Sequence, residues 1–189
     1  TIAGLIQIDA KDQALELIGQ ESKGIQELVH LLVKAIPDPV ISGCILGKYN
    51  RAHELGLELN LDPSSQLREI PAHMSTEKLM SLIGNIIDNA FEATRLNLIE
   101  HPQHSNQVTV SFSDYGNDLI FEIEDKGAGI AQQDQQRIFE KGFSSKDEAG
   151  HGYGLYLVKS ILDELNGQVT LETADCGGTR FIVYLPKNL

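Results

Sequence analysis

The sequence predicts an α+β fold, a two-layer α/β sandwich with a mixed sheet and helices on one face, entered through a partial helical hairpin. Three observations lead there. Apolar residues recur at helical spacing from Thr1 to about residue 55, helical and strand-like segments alternate from Gly56 onward, and the strand-like segments are joined mainly by short turns. Hairpins of that kind argue against a doubly wound parallel sheet. The chain therefore divides into residues 1–55 and 56–189.

In the first region Leu15, Leu17 and Ile18 are followed by Ile25, Leu28, Val29, Leu32 and Val33 on one stripe. Pro37 and Pro39 interrupt it, each removing an amide donor and restricting the residue before it. Helix resumes through Val40, Ile41, Ile45, Leu46 and Tyr49 and ends near Gly56. Periodicity leaves two partners open for this stripe, a second copy of the hairpin or the chain's own domain. The chain opens at Thr1 inside an apolar pattern, Ile2, Leu5, Ile6 and Ile8, which reads as a first helix cut short.

The second region starts with a strand around Leu57 and Leu59 and a polar loop at Asp62–Ser65. Ser75 or Thr76 caps a long helix carrying Leu79, Leu82, Ile83, Ile86, Ile87, Ala90 and Phe91. Val108–Phe112 and Leu119–Ile123 form a hairpin about Asp114–Asn117; a helix over Leu155–Leu165 stops at Asn166-Gly167; Val169–Leu171 and Phe181–Leu185 end the sheet through Gly177-Gly178.

With 15 basic against 27 acidic side chains and a net charge of -12, the chain has no basic face to spare for nucleic acid or an anionic membrane. Any phosphate must be held by backbone amides, a metal ion and a few lysines. At 41% hydrophobic residues it can bury one good core, and no apolar run approaches the roughly 20 residues of a bilayer crossing. Cys44 and Cys176 lack metal-ligand spacing and read as reduced thiols in a cytosolic chain.

Four segments carry chemistry. On the long helix Asn85, Asn89 and Glu92 share a face, and an amide carbonyl there suits Mg²⁺, which uses few protein oxygens; a solvated helix face would look the same. Asp125 follows a strand and precedes Gly127, Gly129 and Ile130, so its carboxylate can accept from an exocyclic amino group while backbone approaches a flat ring. Ile138–Lys146 mixes Phe139 and Phe143 with Lys141 and Lys146 in a loop. Gly150-His151-Gly152-Tyr153-Gly154 opens a helix at Leu155, freeing amides for an anion at the positive end of the helix dipole. It is neither a P-loop nor a dinucleotide fingerprint.

The order of these pieces, closed by Gly178-Thr179 before the last strand, resembles the ATP-binding domain shared by histidine kinases, gyrase, Hsp90 and MutL, over about residues 56–189. The resemblance implies ATP under a lid of about residues 139–152, with Phe139, Lys141 and Lys146 in it. It places Asp125 on the adenine amino group with Thr179 in support, Asn85 and Asn89 toward the phosphates, Asn89 on Mg²⁺, and Gly150, Gly152 and Gly154 on the phosphates. Hydrolysing relatives carry a Glu where Asn85 stands. An amide cannot serve as the general base for water, so Asn85 points to phosphoryl transfer, with Lys146 or Lys141 supplying charge. Glu92 and Ala93 replace the basic and aromatic residues common in histidine kinases.

Pro39–Gly43, Lys48–Ala52, the strand at Gly56–Leu59 and Asn85–Ala93 resemble the citrate and C4-dicarboxylate sensor kinases. That resemblance implies a homodimer through the hairpin, a response-regulator partner, and a place as the C-terminal, cytoplasmic part of a bacterial inner-membrane protein. A hydrolytic ATPase, an anti-sigma-type serine kinase and a non-catalytic nucleotide-binding scaffold are the alternatives. The phosphoacceptor is expected upstream of Thr1. His30 is expected to pack within the apolar stripe, and only His53-Glu54 imitates an acceptor pair, at a helix end.

Overall fold

A computed structural model of the protein describes residues 11–143, 152–174 and 177–188, with side chains described from residue 23 onward except at Tyr115. Helix α1, Lys11–Ala35, ends just before the expected proline break. Helix α2, Pro39–Glu54, begins with Pro39 in its first turn, where a missing amide costs nothing. Its N-cap Asp38 accepts from Val40 N at 2.8 Å and Ile41 N at 3.0 Å, satisfying two amides that the helix leaves over. The chain turns at Gly56 into strand β1, Glu58–Leu61.

Helix α3, Thr76–Glu100, is the long helix, capped by Ser75. It connects β1 to β2, Gln107–Tyr115, which lies parallel to β1. Strand β3, Asp118–Glu124, returns antiparallel. After a 3-10 turn at Arg137–Phe139 comes α4, Gly154–Glu164, then β4, Gln168–Thr173, and β5, Thr179–Pro186. The sheet order is β1-β2-β3-β5-β4, so one parallel pair and three antiparallel pairs make the mixed sheet that the hairpins predict.

Strand alternation sends every second side chain inward. Val108, Val110 and Phe112 of β2, Leu119, Phe121 and Ile123 of β3, and Phe181, Val183 and Leu185 of β5 are all buried. They meet Leu79, Leu82, Ile83, Ile86 and Ile87 of α3 and Val158, Ile161 and Leu162 of α4. Phe112 and Phe121, register partners, pack edge to face with ring centroids 5.5 Å apart.

The N-terminal helices join this same core. Leu28, Leu32, Ala35 and Ile36 are buried with Ile41 and Ile45 of α2, and the Ala35 carbonyl accepts from Leu67 N at 2.7 Å. The stripe expected on α1 is split between two faces: Leu28 and Leu32 point inward, whereas Ile25 and Val29 are more than a third exposed and Val33 is 74% exposed. His30 is exposed, not packed, because it lies on the outward side of the turn that buries Leu28 and Leu32. Residues 1–10 and Cys176 lie outside the described residues.

Candidate functional site

The inward row of β3 does not stop at Ile123. Its next member is Asp125, just past the strand end, 2% exposed, with its amide donating to the Thr179 carbonyl at 2.9 Å. Thr179, 4% exposed, holds the matching inward place on β5 ahead of Phe181. The rule that buries apolar side chains along the sheet thus buries one carboxylate at its end. Asp125 Oδ1 accepts from Gly127 N at 2.8 Å and Thr179 N at 3.1 Å. Burial pushes its pKa up to about 6, against the lowering effect of those two amides. Gly178 makes the approach possible: it has φ +82°, and a Cβ there would stand 2.2 Å from the Asp125 carbonyl oxygen.

On the outward face the adjacent Glu124 meets Lys126 Nζ at 2.5 Å and Arg180 at 2.6 and 3.0 Å. Burial would raise its pKa, but the two cations hold the carboxyl below its usual range.

Asp125 and Thr179 open onto a cavity of about 630 Å³ between α3, the 125–138 segment and the start of α4. Asn89 lines its α3 side. The Asn89 Nδ2 donates to the Asn85 carbonyl at 2.9 Å, leaving Oδ1 as the atom available to a cation. Asn85 stands behind this wall: its Nδ2 donates to the Ser81 carbonyl at 2.6 Å, and its Oδ1 would be 2.9 Å from a Cβ placed on Gly154. Gly154 therefore lets α4 close against the amide pair. Gly152, Tyr153, Gly154 and Leu155 line the cavity. The α4 N-cap, Tyr153, makes no side-chain cap, so the first-turn amides have no side-chain acceptor of their own.

Gly129 and Ile130 also line the cavity, whereas Gly127 is buried beneath α3. Lys141 is exposed, its Nζ 5.9 Å from the centroid of the Tyr153 ring. Phe139, expected in the lid, instead packs against the core and lines a separate depression with Leu162, Val169 and Leu171. Phe143 takes the cavity side, with the Arg137 guanidinium 4.8 Å from its ring centroid. Lys146, Gly150 and His151 lie outside the described residues.

The cavity is lined further by Glu92, Ala93, Leu96, Asn97 and Glu100, about one to three helical turns beyond Asn89. The motif at Asn85–Ala93 does not extend to Leu96, Asn97 and Glu100, although the i, i+4, i+8 continuation Asn89, Ala93, Asn97 carries the signal. No lysine or arginine lines the cavity among the described residues. Among the described residues, the groups that an anion there could meet are the α4 amides and a cation at Asn89. Asn89 Oδ1 fits a cation that keeps most of its ligands from water and phosphate. Among the described residues no cluster of three His, Cys, Asp or Glu side chains offers an alternative metal cage.

The family model described as histidine kinase-, DNA gyrase B- and HSP90-like ATPase matches residues 74–189. The chain is 40% identical over 188 residues to the sensor protein CitS of Halalkalibacterium halodurans, covering 100% of this chain and 34% of that protein. It is 38% identical over 186 residues to the sensor histidine kinase CitA of Klebsiella pneumoniae, covering 98% and 33%. The chain thus spans about a third of the length of these curated relatives. In structure it is similar to the catalytic domain of histidine kinase ThkA, with TM-score 0.62 and 19% identity over 78% of this chain and 90% of that one.

Proposed function

The chain belongs to the histidine kinase-, DNA gyrase B- and HSP90-like ATPase family, and from that premise we propose that it is the catalytic part of a sensor histidine kinase, transferring the γ-phosphoryl group of Mg-ATP to a histidine for relay to a response regulator. The observation that carries the reading is the buried Asp125 carboxylate facing the same cavity as Asn89 and the N-terminus of α4. Asp125 and Thr179 receive the adenine, the α4 amides receive the phosphates, and a magnesium ion at Asn89 Oδ1 supplies positive charge to them. Asn85 carries no basic group, so the water-activating carboxylate of a hydrolase is absent from its position. Lys146 and Lys141 are the side chains proposed to neutralise charge as the phosphoryl group moves.

The full-length protein is proposed to be a bacterial inner-membrane sensor for citrate or a C4-dicarboxylate, with this part in the cytoplasm. Among the described residues no helix is long and apolar enough to cross a membrane. The exposed Ile25, Val29 and Val33 row on α1 supports dimerisation through the hairpin. Incubation of the full-length protein with γ-labelled ATP tests the reading. Acid-labile, base-stable label on the protein is expected, and steady phosphate release without label would favour a hydrolase instead.

A further inference from the structure

Asp125 can recognise a base only if the peptides beside it are held still, and the ladder of β3 ends before them. The hold comes from α3. Lys126 N donates to Thr94 Oγ1 at 3.1 Å, and the Lys126 carbonyl accepts from Asn97 Nδ2 at 2.8 Å. The peptide that Asn97 holds by its oxygen is the one whose N–H, on Gly127, donates to Asp125 Oδ1. One peptide plane therefore connects Asn97 to the carboxylate. Gly127 lets α3 come close enough, since a Cβ there would stand 2.8 Å from the Ala93 Cβ.

Both α3 side chains are built in. Thr94 is fully buried and Asn97 is 8% exposed. Asn97 Nδ2 also lies 3.0 Å from His104 Nδ1, which accepts its second hydrogen when the ring carries its proton on Nε2. With both hydrogens engaged, Oδ1 is the polar side-chain atom that Asn97 can offer the cavity it lines. A hydroxyl and an amide buried merely to satisfy each other would not both converge on the peptide groups of the residue after the base-reading carboxylate.

The geometry points to Thr94 and Asn97 as positioning residues for nucleobase recognition, with His104 as the brace that orients Asn97. They clamp both polar backbone groups of Lys126, and so fix which way the Asp125 carboxylate faces. This rests on the nucleotide reading above.

The test compares binding of Mg-ATP with binding of Mg-inosine triphosphate, whose 6-carbonyl replaces the amino group that Asp125 would accept from. Calorimetric titration of the wild-type chain is expected to show a clear preference for ATP. Thr94→Val and Asn97→Leu should each weaken ATP binding by about tenfold or more and shrink the ATP preference by a similar factor, while magnesium dependence persists. Thr94→Ser should restore both. His104→Ala, on an exposed loop, opens no cavity and keeps the test available if the buried variants fail to fold. It should reduce the preference about two- to fivefold at unchanged melting temperature. A merely structural role would lower the melting temperature and leave the ATP preference at its wild-type value; that result in Asn97→Leu, or in His104→Ala if the former does not fold, overturns the assignment. A wild-type chain with no preference for ATP would instead defeat the nucleotide reading, and this inference with it.

Discussion

Glu124 and Asp125 are neighbours in sequence and face opposite sides of the sheet, which gives them opposite electrostatics. Glu124 is held ionised by Lys126 and Arg180, while Asp125 is buried with two amides on one oxygen and a pKa raised to about 6. Its ordinary value is 3.8. Between about pH 4 and 6 the folded chain therefore binds more of this proton than the unfolded chain, so this group's contribution to stability falls as pH rises through that window. Above it, the carboxylate is a standing cost to the fold. Asp125→Asn should keep the two amide bonds through Oδ1, raise the melting temperature of the nucleotide-free chain by a few degrees, and weaken ATP binding by about 1.5–3 kcal/mol. Thermal melts and calorimetry on the same sample check both signs; a variant that binds ATP as tightly as the wild type removes Asp125 from the site. Protonation should act like the mutation. Adenosine affinity is expected to fall as pH drops through about 6, and adenosine separates this from phosphate groups that titrate in the same range. At the other end of the cavity, Asn89→Ala should abolish the magnesium dependence of ATP binding while adenosine binds nearly as before. Equal response to magnesium in both proteins would refute the Asn89 role.

Elements place these residues by their periods, and what was legible in the sequence follows the same periods. The two-residue repeat of β3 and β5 carries Asp125 and Thr179 inward after Ile123 and before Phe181, so the carboxylate could be read from the strand that precedes it. The 3.6-residue repeat of α3 groups Asn85 and Asn89, and extending it by two turns reaches Asn97. Nothing local distinguishes Phe139 from Phe143. Which ring packs under α4 and β4, and which faces the cavity, depends on tertiary contacts made by Leu162, Val169 and Leu171. The stripe expected on α1 divides for a related reason: Leu28 and Val29, or Leu32 and Val33, are adjacent, and a helix sends adjacent residues about a quarter-turn or more apart. Only the packing against α2 decides which of each pair is buried. The glycine turn before β5 offers a test at this scale. Gly178→Ala places a methyl 2.2 Å from the Asp125 carbonyl oxygen at φ +82°, and should cost about 2 kcal/mol or more in stability and abolish ATP binding. Unfolding by urea gives the first quantity. Wild-type stability in this variant would mean that β5 does not enter the site as described.

At the scale of the whole molecule, one continuous core runs from α1 through α3 and α4 to β5. Among the described residues, Thr94, Asn97, Asp125 and Thr179, four of the five buried polar side chains, gather at one end of the sheet, and Ser65 lies apart beside Phe112. Mg-ATP is expected to occupy the cavity at that end, between α3 and α4. Two-dimensional amide NMR of the labelled chain during a Mg-ATP titration locates the nucleotide. Shifts that saturate together at Asn89–Asn97, Asp125–Ile130, Gly152–Leu155 and Thr179 are expected, with Gln135, Lys159 and Val169 of the second depression unaffected. Spectra unchanged at millimolar Mg-ATP, or shifts confined to the second depression or to α1, would contradict it.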